Sequence, residues 1–399
     1  MRKVTLDSYA GVDRLRIAIG GDITGSEVRR DEGGVAMRLV DPVLSVECDG
    51  VDFSSIHPDI IALIGILAFH PILPNEEFEL KPSFSVSPNF EKAIRRAWIL
   101  PYIRVNSPGE ASPFTPKRGG VLSYGGGIDS LAASIMFPDL PLVHETPLPS
   151  RHASYSDIVN KIVTDERAEN FVVFDNLRQL FTVWGLPLWV SVYIASLILE
   201  PKYIVSGSEL TGTYLLAGKR YLPRHQNIWY RVFETIGVDV LPTSFLSEVG
   251  NAKIVSYSNR MDDAAYCQKI DRKDCGRCTK CLRRRMIRAM FDPSEMHLVD
   301  DFVQSDQIHA FLRTRPLYYA DVFVHAAARQ VRPTWVNEHI KDLLEKHESF
   351  PFHEAYYSKA FDHFGYPLDL RERAERSMGL AGLKAFTESD DEEFTNFLQ

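Results

Sequence analysis

Cysteine is scarce in this chain of 399 residues. There are five, and four of them, Cys267, Cys275, Cys278 and Cys281, fall within 15 consecutive positions. That distribution excludes a disulfide framework spread over the fold. Long hydrophobic runs are also missing. The longest uncharged stretch, Leu180–Leu199, is broken near its start by Gly185 and Pro187. It predicts a buried helix over Leu188–Leu199 rather than a membrane span. The run Ile60–Phe69 is too short to span. Charges at Arg2, Lys3, Asp7, Asp13, Arg14 and Arg16 interrupt any secretory core. No internal repeat occurs, and none of the twelve histidines sits in an HExxH pattern. A cytoplasmic, reducing location without a membrane segment is expected.

What is present is the balance of a globular protein: 45% hydrophobic and 25% charged residues, over a length that suits two or three domains. The net charge of −8 is unevenly spread: −3 over 1–117, +4 over 118–290 and −9 over 291–399. A positive middle third suits an anionic ligand. Its densest basic cluster is Arg283–Arg284–Arg285, with Arg277, Lys280 and Arg288 nearby. These side chains could contact phosphate or nucleic acid, or form the solvated face of a helix.

The most informative segment is Gly125–Ser130, GGGIDS. It follows the apolar Val121–Leu122 and precedes a helical pattern over Leu131–Phe137. A glycine turn from strand to helix points amide groups outward, and the helix N-terminus adds positive potential, which makes a phosphate-sized anion site. Asp129 and Ser130 fall at the helix start, where short polar side chains satisfy unpaired amides. The lysine of GxxxxGK[ST] is absent, which excludes an ordinary P-loop.

The second signature is the cysteine quartet, spaced C-x7-C-x2-C-x2-C. Four thiolates complete a tetrahedral Zn²⁺ site with no position left for catalysis. An iron–sulfur cluster would also accept four cysteines. Zinc in a structural role is the expectation.

Together these segments resemble a known family. GGGIDS is similar to the SGGxDS PP-loop of the ATP pyrophosphatase superfamily, with Gly125 where that family usually has serine. Followed downstream by CGRCTKCLRRR, it looks like the 7-cyano-7-deazaguanine synthase group, which joins a PP-loop to a four-cysteine zinc knuckle. The resemblance covers roughly residues 118–290. It implies binding of ATP with Mg²⁺, cleavage between the α- and β-phosphates, and transfer of AMP to a substrate carboxylate. Ammonia would then displace AMP to give an amide and, after a second ATP, a nitrile. Sulfur transfer is the alternative, though only Cys48 lies outside the quartet. A zinc-containing nucleic-acid-binding protein with an inactive nucleotide fold is the alternative of another class. The added terminal regions suggest a macromolecular acceptor, such as a peptide or protein terminus, with a small-molecule carboxylate also open, and a homodimer or a protein complex is the expected assembly.

The expected roles follow. Ser123, Tyr124, Gly125, Gly126, Gly127, Ile128, Asp129 and Ser130 would cradle the nucleotide, with His144 and Val143 beside the adenine. Asp129 would anchor Mg²⁺ and, with Ser130, carry the catalysis. Ser208 and Glu209 stand where the resembled enzymes place polar substrate contacts, although Ser208 also suits a helix N-cap. Arg224 and His225 could neutralise a substrate or phosphate charge.

The expected fold is α/β: a doubly wound parallel sheet of the adenine nucleotide alpha hydrolase type over 118–290. Strands are predicted at Val121–Ser123, Leu142–His144, Phe171–Phe174, Tyr203–Ser206 and Val238–Leu241. Helices between them are predicted at Leu131–Phe137, Tyr155–Asp165, Leu188–Leu199 and Ile228–Ile236. Residues 1–117 read as a small α+β domain, with strands near Leu15–Ile19 and Val35–Leu39, ending in the proline-rich linker Ser107–Lys117. Residues 291–399 read as helical: Ile308–Leu312, Tyr318–Gln330, Trp335–Lys346 and Phe352–Phe364. His353 and His363 are expected to pack within the last of these, and the acidic Glu388–Glu393 to be solvated and mobile.

Overall fold

The computed structural model describes residues 1–23, 29–30, 36–74, 76–97, 103–147, 160, 169–182, 188–216, 219–220, 232–234, 236–264, 275–315, 317, 319–331, 334–346 and 350–398. Ten strands form one sheet: β1 Arg2–Ala10, β2 Arg14–Gly21, β3 Val43–Cys48, β4 Phe78–Pro82, β5 Ile103–Val105, β6 Arg118–Ser123, β7 Leu142–Pro147, β8 Asn170–Asp175, β9 Pro201–Ser206 and β10 Asp239–Pro242. Their order is β10-β9-β6-β7-β8-β3-β2-β1-β4-β5. The chain is therefore α/β, with a large and mostly parallel sheet.

The strands expected between 118 and 242 all form, each within a few residues of its expected limits. They pair in parallel, β10 with β9, β9 with β6, β6 with β7 and β7 with β8. Runs such as Phe171–Phe174 and Tyr203–Val205 are rich in β-branched and aromatic residues, as strands covered on both faces require. The antiparallel pairs β8–β3, β3–β2 and β2–β1 extend the same sheet into the N-terminal third. No gap in the sheet marks residue 117. Ser107–Lys117 carries no regular element, but it is fastened, through Ala111 N–H to the Val86 carbonyl and Lys117 N–H to the Glu200 carbonyl.

Helices cover this sheet. Helix α1, Pro58–Phe69, begins at His57, whose Nδ1 accepts the Asp59 amide, with Pro58 at its first position. Every residue from Asp59 to Phe69 is buried. Each large aliphatic side chain so enclosed contributes about 1.5–3 kcal/mol of transfer free energy. Helix α2, Ile128–Met136, follows the glycine turn. Helix α3, Leu188–Leu197, is the core of the predicted Leu188–Leu199 segment and packs on α1 and β7. At ten residues it cannot cross a bilayer, and no helix among the described residues is long and apolar enough to do so. All of the expected helix Tyr155–Asp165 but residue 160, and most of Ile228–Ile236, lie outside the described residues.

The C-terminal third is largely helical. Helix α4, Leu210–Tyr214, α5, Glu248–Tyr257, and α6, Thr279–Phe291, lead into α7, Ala320–Ala328. Phe352–Phe364 is not one helix. Pro351–Glu354 is a 3-10 turn, Ala355–Tyr356 pairs with Lys384–Ala385, and only Lys359–His363 is helical. The acidic tail is also ordered, as the first turn of a helix over Glu388–Leu398. Asp390 accepts the Thr387 amide while Thr387 Oγ1 accepts the Asp390 amide, a reciprocal cap, and Phe394 is buried. Acidic residues in a first turn also complement the helix dipole, so charge there favours order.

Candidate active site

Strand β6 ends at Ser123, beside Val143 of β7 and Ser206 of β9. The turn after it lies at the C-terminal edge of the parallel strands, where α/β sheets bind ligands. Tyr124 donates its amide to the Val143 carbonyl at 2.8 Å, and its own carbonyl lies 2.8 Å from His144 Nδ1. Tyr124 and His144 are both buried, so they brace the base of the turn. Burial pushes His144 down to about 4, which keeps the imidazole neutral.

Gly125 is exposed, and a Cβ there would meet nothing within 4 Å. Gly126 has φ of 70°, a conformation that glycine adopts without strain. Gly127 is the N-cap of α2, and among the described residues no side chain caps that helix. Neither Asp129 nor Ser130 takes the capping role expected of it. Ile128 is fully buried, and the Ser130 hydroxyl donates back to the Gly127 carbonyl at 3.2 Å. Gly207, just after β9, closes on this turn from the other side. A Cβ on it would stand 2.5 Å from the Ser130 amide nitrogen.

Asp129 projects from the first turn of α2 toward α5 and α6. Its Oδ1 accepts a hydrogen bond of 3.0 Å from Asn251 Nδ2, and among the described residues it has no salt bridge. Burial and the nearby Glu248 carboxylate raise it to about 6, against the opposing pull of Arg284, the Asn251 bond and Arg283. Glu248 forms a buried ion pair of 2.7 Å with Arg283, whose guanidinium lies 3.4 Å from the centre of the Tyr319 ring. Asp321, from α7, is raised to about 7 by burial and by Glu248. Arg284 stands over the glycine turn, its Nη2 3.0 Å from where a Cβ of Gly127 would be. Lys280 shares this field, and burial together with Arg284 and Arg283 pushes it down to about 8.

The basic cluster thus divides. Arg283 and Arg284 are buried, Arg284 beside Gly127 and Arg283 against Glu248 and Tyr319, while Arg288 pairs with Glu295 and Asp262 and Arg285 bonds the Leu298 carbonyl. None of these four is a solvated surface cation.

Glu209 is brought to the same neighbourhood, but its carboxylate is occupied. Oε2 accepts from the Thr211 amide at 2.7 Å and hydroxyl at 2.8 Å, and Oε1 from the Gly212 amide. It is therefore Glu209, rather than Ser208, that ties down the start of α4. Burial and the Asp321, Asp129 and Glu248 charges hold it well above the usual carboxylate range. Arg224 and His225 lie outside the described residues.

Cys275, Cys278 and Cys281 come together as expected. Their sulfurs all lie within 4.8 Å of one another, with Cys281 3.6 Å from Cys275 and 3.4 Å from Cys278. Disulfide sulfurs stand about 2.05 Å apart, whereas two thiolates on one tetrahedral Zn²⁺, at about 2.3 Å each, stand about 3.8 Å apart. The three cysteines could hold a metal ion. Cys267 lies outside the described residues.

Sequence patterns did not reveal Glu248, Asn251 or Asp321. Ser247–Glu248 after the last parallel strand has the look of a helix start. Nothing around Asp321 signals a site. His353 is not simply helix packing: its Nδ1 lies 2.8 Å from Ser247 Oγ, which caps α5, and its Nε2 3.6 Å from Asp321.

Residues 228–397 match a family described as of unknown function, DUF6395. The match contains Glu248, Asn251, the three clustered cysteines, Lys280, Arg283, Arg284 and Asp321, and excludes the glycine turn. No curated protein and no solved structure matches the chain.

Proposed function

We propose that this chain is an ATP-dependent adenylating enzyme, with a doubly wound PP-loop core and a structural zinc knuckle. The observation that carries the reading is the union of three features at one strand end. A glycine turn without a side-chain cap opens α2, a carboxylate with no salt bridge stands in its first turn, both among the described residues, and a buried guanidinium lies over Gly127. The amides of the turn and Arg284 suit the leaving β- and γ-phosphates. Asp129, bonded among the described residues through Oδ1 alone, fits a Mg²⁺ ligand, and the ion would supply charge neutralisation on the phosphates. The three thiolates fit zinc, with Cys267 as the expected fourth ligand.

In the proposed reaction a carboxylate oxygen of the acceptor attacks the α-phosphorus. The bond from that phosphorus to the bridging oxygen breaks, and pyrophosphate leaves. A nitrogen nucleophile then attacks the acyl carbon, expels AMP and loses a proton. The chain's contribution is positioning and electrostatics more than proton transfer. A nitrogen nucleophile suits this chain better than sulfur carried on it. Cys48 is buried in β3, and burial followed by Asp49 pushes its thiol up to about 12, far from a reactive thiolate.

The reading is tested by ATP–pyrophosphate exchange against a panel of carboxylates, including 7-carboxy-7-deazaguanine and peptides. Exchange with at least one acceptor is expected, and its loss in Asp129→Asn. Exchange that persists in the variant overturns the site, and release of ADP in place of AMP overturns the reaction.

A further inference from the structure

Lys280 lies in the first turn of α6, between two of the clustered cysteines. Its basic neighbours are engaged: Arg283 with Glu248, Arg285 with the Leu298 carbonyl, Arg288 with Glu295 and Asp262. Lys280 differs. It is partly buried beside Asp129, Glu248, Arg283 and Arg284, yet among the described residues it has neither a hydrogen bond nor an ion pair. Glu248 is already paired with Arg283, so an ammonium sheltered beside two guanidiniums favours a further anion. The next guanidinium along the same helix face, Arg284, already overhangs Gly127.

The start of α6 has a second property. Its N-cap is Cys278, whose thiol does not cap the helix amides but lies 3.4 Å from the Cys281 sulfur of the first turn. What gathers the first turn is the convergence of Cys275, Cys278 and Cys281. A metal ion bound there would fix the turn that carries Lys280, and without it the turn would fray.

We propose that Lys280 is a ligand for the phosphoryl oxygens of the group held at the glycine turn, and that the cysteine cluster positions it, so that metal occupancy sets affinity for pyrophosphate and ATP. The proposal rests on the nucleotide-binding reading above and adds a residue and a dependence to it. A lysine suits the task, since its ammonium is a compact charge with three donors that can follow the phosphate oxygens.

The test is titration calorimetry of the full chain with pyrophosphate and with ATP–Mg²⁺. Lys280→Met is expected to weaken both by about ten- to a hundredfold, the loss of one charge-assisted contact. Lys280→Arg should recover part of that, and Arg277→Met, an exposed cation of the same knuckle, should bind as the parent does. Zinc content, read by displacement from the thiols, should be unchanged in all three. Removing the metal with a chelator should weaken binding as Lys280→Met does, and added Zn²⁺ should restore it. Should chelation unfold the chain by circular dichroism, the Lys280→Met and Lys280→Arg pair decides. Tight binding by the parent and equal binding by Lys280→Met overturns this proposal and leaves the nucleotide reading standing. A parent that binds neither probe overturns both.

Discussion

Asp129→Asn should stabilise the ligand-free protein at neutral pH and leave it unchanged in mild acid. The native carboxyl is raised from 3.8 to about 6 by burial and Glu248, opposed by Arg284, Asn251 and Arg283. An acid raised on folding binds its proton more tightly in the native state, so native stability falls as pH climbs from the unfolded to the folded value. The penalty is absent below 3.8 and complete above about 6. At about 1.4 kcal/mol per pH unit, that interval amounts to about 3 kcal/mol. Asparagine is neutral at every pH and keeps an oxygen for the Asn251 bond. The variant should therefore gain about 2–3 kcal/mol at about pH 7.5, a few degrees in melting temperature for a chain of this size, and almost nothing at about pH 4. Paired thermal melts with nucleotide and Mg²⁺ omitted measure this. A lower melting temperature at neutral pH, or the same gain at both pH values, would refute the claim that Asp129 is a disfavoured carboxylate held for a ligand.

Two further substitutions probe the turn itself. Gly125→Ser places a Cβ where nothing lies within 4 Å and adds a hydroxyl at the turn. It should tighten ATP binding by about three- to tenfold in calorimetry, with Gly125→Ala neutral; weaker binding by the serine variant would contradict phosphate at this turn. Gly207→Ala forces a methyl to within 2.5 Å of the Ser130 amide nitrogen, backbone that cannot swing aside. It should cost about 1–3 kcal/mol and lower the melting temperature, and an unchanged melt would show that β9 and α2 are not so closely apposed.

The parallel strands were legible because each is a short apolar run bounded by turn residues, and the glycine turn because its signature is local. The joining of residues 1–117 to the same sheet was not. It depends on β3 meeting β8 in antiparallel register, Cys48 against Val173, a pairing 125 positions apart that no local pattern encodes. The basic cluster was ambiguous for a similar reason. Three consecutive arginines read equally as phosphate contacts and as a solvated face, and the helix turns Arg283 and Arg284 inward and leaves Arg285 and Arg288 to ordinary ion-pair and carbonyl contacts. Asp321 and His353 were illegible because only tertiary packing brings the C-terminal helices to Ser247 and Arg283. The solvation of the acidic tail was legible, but its helix was not, because composition outweighed its cap: Thr387 and Asp390 start a helix that charge alone would not suggest.

The central claim is most directly tested by a crystal structure of the full chain with Mg²⁺ and α,β-methylene-ATP, whose α–β bond cannot be cleaved. The account predicts β- and γ-phosphate oxygens at the amides of Gly126 and Gly127, a Mg²⁺ ion at Asp129, and Lys280 drawn onto the phosphates. A nucleotide bound elsewhere, with the glycine turn empty, would contradict it.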